Sequence, residues 1–264
     1  MDAFTYAKPL ARADRCSALL LLLLAANACG ADDLALETPG ASGASGAAGV
    51  AGSGGREMDA EPPDSGAASD AGTCAAAGSR FVTGVVAYAF GLGQNVGQDR
   101  FPEPIFGPPR GLGCCQGSTA DVVSLGNGGT VTVEFSENAI VDGPGPDFIV
   151  FENAFWSGGD PNAVFAELAT VEASADGLEW REFPCTAVAP PYESCAGWHP
   201  VYANADTNSI DPLDPDEAGG DAFDLEAVGL TQARFVRITD REDLIGLSGV
   251  FDLDAVGIVH ALCP

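Results

Sequence analysis

Thr130-Val131-Thr132-Val133-Glu134-Phe135 alternates polar and apolar side chains, the period-two pattern of a strand with one face on a core and the other toward water. The same texture spreads outward from it. Short β-type runs recur near 81–90, 120–125, 147–152, 164–173, 178–183, 198–202, 223–229, 233–239 and 251–260, punctuated by Gly, Pro, Asn and Asp. Only residues 162–170 leave helix and strand in competition. Many short strands separated by turn signals predict an all-β domain, a β-sandwich or jelly roll.

That domain is expected over 80–264. Residues 29–79 run through Ala-Ser-Gly and Glu-Pro-Pro-Asp-Ser-Gly repeats with almost no large apolar side chains, too little to offset ordering entropy, so they read as a flexible tether. Residues 1–28 carry Lys8, Arg12 and Arg15, then the apolar run 18–26, then Asn27-Ala28-Cys29. This is the charged, apolar and small-residue order of a signal peptide, and the run is far short of the ~20 residues that span a bilayer. Leu24-Ala25-Ala26-Asn27-Ala28-Cys29 resembles a bacterial lipobox, which implies lipidation at Cys29 and an outer-membrane or cell-surface location. Plain secretion is the alternative; the tether favours anchoring.

Removal of that segment takes three basic and two acidic side chains from totals of 11 and 38, leaving 8 arginines against 36 carboxylates. Such a field excludes nucleic acid, whose binding rests on clustered Lys and Arg, and disfavours anionic membrane surfaces except through the lipid.

Six cysteines remain beyond Cys29: Cys74, Cys114, Cys115, Cys185, Cys195 and Cys263. Export places them in an oxidising compartment, and an even count without Cys-x-x-Cys spacing predicts three disulfides. The pair expected first is Cys185 with Cys195. Adjacent Cys114 and Cys115 sit about 3.8 Å apart, below the usual span of a bridge, so separate pairing with Cys74 and Cys263 is the cleaner of the arrangements open to them.

Two segments resemble the discoidin group of galactose-binding-like sandwiches. Ser174-Ala175-Asp176-Gly177-Leu178-Glu179-Trp180 is similar to its Ser-x-Asp-Gly hairpin leading to a core tryptophan, and Ala233-Arg234-Phe235-Val236-Arg237-Ile238 to its Ala-Arg-Tyr strand. A longer set resembles a group of bacterial cell-surface proteins of uncharacterised function: Asp147-Phe148-Ile149-Val150-Phe151-Glu152-Asn153, Gly220-Asp221-Ala222-Phe223-Asp224-Leu225 and Phe251-Asp252-Leu253-Asp254-Ala255-Val256. These resemblances imply a galactose-binding-like jelly roll and surface display, with no catalytic residues to carry over. The last two segments also echo each other at an offset of 28 residues, each placing two carboxylates at i and i+2.

Two histidines, His199 and His260, are too few for a histidine-based zinc centre, and no nucleophile elbow, Walker loop or His-Glu-x-x-His occurs. The abundance of carboxylates leaves a glycan-active enzyme open without supporting it. Trp156, Trp198 and Tyr202 lie in loop-rich segments and are candidates for stacking on a sugar, so an extracellular glycan or other surface ligand is the expected partner of a non-catalytic module. A purely structural envelope role is the rival. Asp206, Asn208, Asp211, Asp214, Asp216, Asp221 and Asp224 crowd one Pro- and Gly-rich stretch. With Asp147, Glu152, Asn153, Asp252 and Asp254 they form the candidate ligand set of a structural calcium ion; the rival is a solvated acidic loop.

Overall fold

The computed structural model describes residues 78–111, 121–243 and 249–263, all within a unit spanning Gly66–Pro264. The signal segment, Cys29 and most of the tether lie outside the described residues, as do Cys74, Cys114 and Cys115.

The fold is all-β, with thirteen strands and three short 3-10 turns among the described residues, every pairing antiparallel. One sheet has the order β1 (Gly84–Ala89), β3 (Thr130–Glu134), β12 (Phe235–Asp240), β8 (Ala169–Ser174) and β9 (Arg181–Glu182). The alternation at 130–135 is realised: Val131, Val133 and Phe135 are fully buried. Across the sheet Val236 and Ile238 of β12 join them in the core. Their neighbour Arg237 faces outward, pairs with Glu172 at 2.5 and 2.6 Å, and lies 4.0 Å over the Trp180 ring.

The second sheet has the order β10 (Asp221–Phe223), β5 (Phe148–Glu152), β13 (Asp252–Ile258) and β2 (Val123–Ser124). Phe148 and Val150 of β5 and Leu253, Val256 and Ile258 of β13 share one core cluster with the first sheet. Ile149, Phe151 and Ala255 face the opposite way and are covered by Val201, Ala203 and Ala218. Burial on both faces explains why these two runs are apolar almost without interruption. Each fully buried Phe of this core contributes roughly 1.5–3 kcal/mol. Two small ribbons, β4 (Ile140–Val141) with β11 (Gln232–Ala233) and β6 (Phe155–Trp156) with β7 (Val164–Phe165), complete the pairing.

Several local expectations change. Residues 162–170 form no helix: Val164–Phe165 and the start of Ala169–Ser174 are strand, and 166–168 between them are irregular. The expected strand at 198–202 reduces to a bridge between Val201 and Gly219. The echo between 223–230 and 251–258 is one of sequence alone. In the first copy Asp224 accepts the Glu226 N–H at 2.8 Å, capping a 3-10 turn (Leu225–Val228) that Gly229 ends at φ +71°; the second copy is β13. The Ser-x-Asp-Gly hairpin closes as expected, Ser174 Oγ accepting from Gly177 N and Asp176 from Leu178 and Glu179 N. Trp180 nevertheless sits half-buried outside the sheet, not in the core.

Candidate functional site

The acidic stretch after Tyr202 does not gather its carboxylates around one point. Asp211 accepts the Leu213 N–H and Asp214 the Asp216 N–H. Asn208 Oδ1 accepts from Asn204 N and Ile210 N while its amide donates to Tyr202 O. Asp206 pairs with Arg110 at 2.9 Å, which holds its carboxyl below the usual range. Apart from Asp206, these side chains close their own turns.

Asp221 is buried beneath this stretch and collects the backbone N–H groups of Gly197, Trp198 and His199 at 2.7, 3.0 and 3.2 Å, plus His199 Nδ1 at 2.8 Å. Burial pushes its pKa up, and the hydrogen bond that His199 donates to Asp221 raises that of His199. Asp147 has a similar setting, taking Gly143 N, Leu225 N and His260 Nδ1 at 2.7–2.8 Å. One oxygen each of Asp142, Asp147 and Asp224 falls within 4.8 Å of the others. That brings two of the expected ligands together with Asp142, which was not among them.

A different set of acids closes one end of the core. Glu152 ends β5 and Asp240 ends β12, each two residues beyond an inward-facing Val150 or Ile238; Glu167 precedes β8 and Asp252 opens β13. Asp240 is satisfied by Phe251 N at 2.8 Å and Gly128 N at 3.0 Å. Glu152 is 2% exposed and no hydrogen bond of good geometry reaches its oxygens; the Asn153 N–H and the Glu167 carboxyl are its polar neighbours, and the Ser124 hydroxyl is that of Asp252. Burial first, then neighbouring carboxylates, push Glu152 well above the carboxylate range, Glu167 up to about 8 and Asp252 to about 6. Glu167 hydrogen-bonds with Glu152, and a Cβ at Gly249 would lie 2.0 Å from Glu167 Oε1 and would push the end of that side chain aside.

An open cavity of about 630 Å³ lies between the 3-10 turn Glu103–Ile105 and the 206 turn. Asp99, Glu103, Asp121 and Asp206 line it with Arg100, Arg110 and the partly exposed ring of Phe106. Asp254 accepts the Arg110 backbone N–H at 3.1 Å; its burial, then Asp121, drive its pKa well up. The three candidate aromatics divide. Trp156 and Tyr202 meet edge to face at 6.3 Å, whereas Trp198 packs on Tyr192 at 5.0 Å in the cluster around the Cys185–Cys195 disulfide. That bridge is the one expected first, and Cys263 is also disulfide-bonded. Asn153 is half-buried at the end of β5.

Sequence reasoning missed Glu167, Asp240, Asp121 and Arg110. Asp240 had a signal, its i+2 position after Val236 and Ile238; Glu167 had a weaker one, a single charge inside the apolar run 164–169. No known family profile matches the chain, and no curated protein is similar to it.

Proposed function

We propose that the chain is an exported, non-catalytic recognition module on a galactose-binding-like sandwich, and that a polyhydroxylated ligand of the carbohydrate class occupies the cavity beside Arg110. The cavity itself carries the reading. Its volume of about 630 Å³ falls in the range of small-molecule sites, roughly 300–1,000 Å³. The Arg110 guanidinium is held by two hydrogen bonds to Asp206 at 2.9 and 3.3 Å, a fixed donor among carboxylate acceptors. Hydroxyl groups satisfy both, and the partly exposed Phe106 ring offers an apolar surface to a pyranose. The excess of carboxylates disfavours anionic ligands.

A glycan array probed with the wild-type chain, Phe106→Ala and Arg110→Ala tests this. A specific hit weakened at least tenfold by either substitution supports the cavity. A hit that survives both but is lost in Trp156→Ala moves the ligand to the Trp156–Tyr202 pair, and silence favours a structural envelope role. Cleavage of a bound glycan would make the chain an enzyme. Export and anchoring require a mature N-terminus at a lipid-bearing Cys29, which mass spectrometry reads directly.

A further inference from the structure

We propose that a disulfide joins Cys74 to Cys263 and so clasps the entry of the chain into the domain to the domain's C-terminal end. This pairing replaces the separate bonds of Cys74 and Cys263 to Cys114 and Cys115 that the sequence favoured. It does not depend on the ligand reading.

Cys263 is buried and disulfide-bonded. Cys185 and Cys195 hold each other, so within the domain its partner is Cys74, Cys114 or Cys115. The described residues that flank these candidates decide among them, because a chain extends at most about 3.3–3.6 Å per residue.

The buried Asn138 gathers the two ends of the domain. Its side-chain oxygen accepts the Cys263 N–H at 2.9 Å, and its amide nitrogen lies 3.0 Å from the Cys263 carbonyl oxygen, 3.3 Å from that of Gly78 and 3.2 Å from that of Ser79. One side chain thus holds the backbone at 78–79 against Cys263. A Cβ at Gly78 would fall 2.5 Å from the Glu137 carbonyl oxygen, a backbone contact that glycine avoids. Farther on, Ile258 N donates to Arg80 O at 2.7 Å and Phe81 bridges Gly257, which lays the entering chain along the C-terminal end of β13. Cys74 lies four residues before Gly78, within about 14 Å of a position already beside Cys263. The span of roughly 4.4–6.8 Å between α-carbons that a disulfide needs is therefore open to it without any change in the described fold.

Cys114 and Cys115 are tied to the other end of that strand. On one side of them the Arg110 N–H reaches the Asp254 carboxylate at 3.1 Å; on the other, Val123 and Ser124 pair with Leu253 and Asp252. Asp254 and Ile258 stand about 13 Å apart along β13, and the chain runs five residues farther to Cys263. Both flanks of the adjacent pair thus anchor at the start of β13, whereas Cys263 and the approach to Cys74 meet beyond its end.

The bond forms as two thiols give up two electrons and two protons. The acceptor is a protein disulfide of the class that oxidises exported chains, which is left as a dithiol. On the anchored reading, a pull on the tether then loads β13, held between β5 and β2, as well as β1 at the edge of its sheet.

The test is tryptic digestion of the full chain, expressed for export, with free thiols alkylated first and no reductant. Cleavage after Arg56, Arg80, Arg110, Arg181 and Arg241 puts Cys74 on residues 57–80, Cys114 and Cys115 together on 111–181, and Cys263 on 242–264. Mass spectrometry should find 57–80 joined to 242–264, two hydrogens lighter than their sum and separated by reductant. In Cys74→Ser the thiol newly alkylated after denaturation should be that of Cys263. Cys74→Ser, Cys263→Ser and the double variant should share one midpoint, about 5 to 15 °C below wild type, since each breaks the same bond. A link from 242–264 to 111–181, an alkylated Cys263 in the wild type, a new thiol at Cys114 or Cys115 in Cys74→Ser, or additive losses in the double variant overturns the proposal. Where the variants fail to fold, the wild-type digest decides alone.

Discussion

Asp221 is the anchor that ties the turn at 197–199 to β10, and its replacement should be costly in a way that depends on pH. In Asp221→Ala the buried Gly197 N–H loses its 2.7 Å acceptor, worth about 1–3 kcal/mol for a stranded donor. The N–H groups of Trp198 and His199 are only part-buried, so water replaces most of what they lose, leaving roughly 0.5 kcal/mol each. The His199 ring is 53% exposed, which limits the ion pair to about 1 kcal/mol or less. Against these stands relief from burying a carboxylate whose pKa is already raised. The balance is a loss of about 2 to 4 kcal/mol, or roughly 6 to 12 °C in midpoint for a domain of this size.

Asp221→Asn separates the parts. Its single oxygen can still serve Gly197 and Trp198, but the amide then faces His199, so the variant loses less stability than Ala while the His199 pKa falls back toward its ordinary value. The sign follows from linkage. His199 is raised above its unfolded value, so its contribution is complete below about pH 6.5 and is lost as pH rises through the folded pKa. Asp221, also raised, acts in the same direction: the native state holds its proton longer, so stability falls as pH climbs from the unfolded value of about 3.8 through the folded one. Wild-type stability therefore declines with pH more steeply than that of Asp221→Asn. Urea unfolding between pH 4 and pH 8, with an NMR titration of the His199 ring, measures both. An identical His199 midpoint in wild type and Asp221→Asn would refute the pairing as the cause.

Replacing Cys185 and Cys195 together by Ser opens a loop with a sequence separation of 10, which the chain-entropy account values at about 2.7 kcal/mol. Calorimetry should show a midpoint lower by roughly 5 to 10 °C, and an unchanged midpoint would mean that the packing of Tyr192, Trp198 and Leu168 holds this loop unaided. Gly143→Ala places a methyl group 2.3 Å from His260 Nδ1, forcing the ring away from Asp147 at a cost of about 1–3 kcal/mol. Chemical denaturation checks it, and a variant as stable as wild type would show that the His260–Asp147 contact is dispensable.

The strands were legible where one physical demand dominated. At β12 alternation alone separates core from surface, and at β5 the apolar run Phe148–Phe151 reports cover on both faces. The disulfide was legible because 185 and 195 are close in the chain. What failed was any inference that needed to know which polar groups find donors. Phe223-Asp224-Leu225-Glu226 and Phe251-Asp252-Leu253-Asp254 differ only in the length of the last acid, yet Asp224 meets the N–H of Glu226 and turns the chain, while Asp252 opens the strand between β5 and β2 and stays extended. Trp180 is a comparable case: stacking beneath Arg237 gives an aromatic ring a partner outside the core, and nothing local in the sequence announces the Glu172–Arg237 pair that holds the guanidinium there.

The same distinction bears on where an acidic chain of this kind would gain from a cation. The carboxylates at 211 and 216 are exposed and that at 214 partly so, and they already accept N–H groups or border those that do, so an ion there would displace water and hydrogen bonds that are nearly as favourable. Glu152 differs, being buried beside Glu167 and Asp252. There burial and the neighbouring acids push Glu152 and Glu167 upward and so favour their protonated forms, which removes the charge that a cation would otherwise have to offset. The number of acids near a point therefore predicts little; the partner each carboxylate finds after folding decides whether it stays charged.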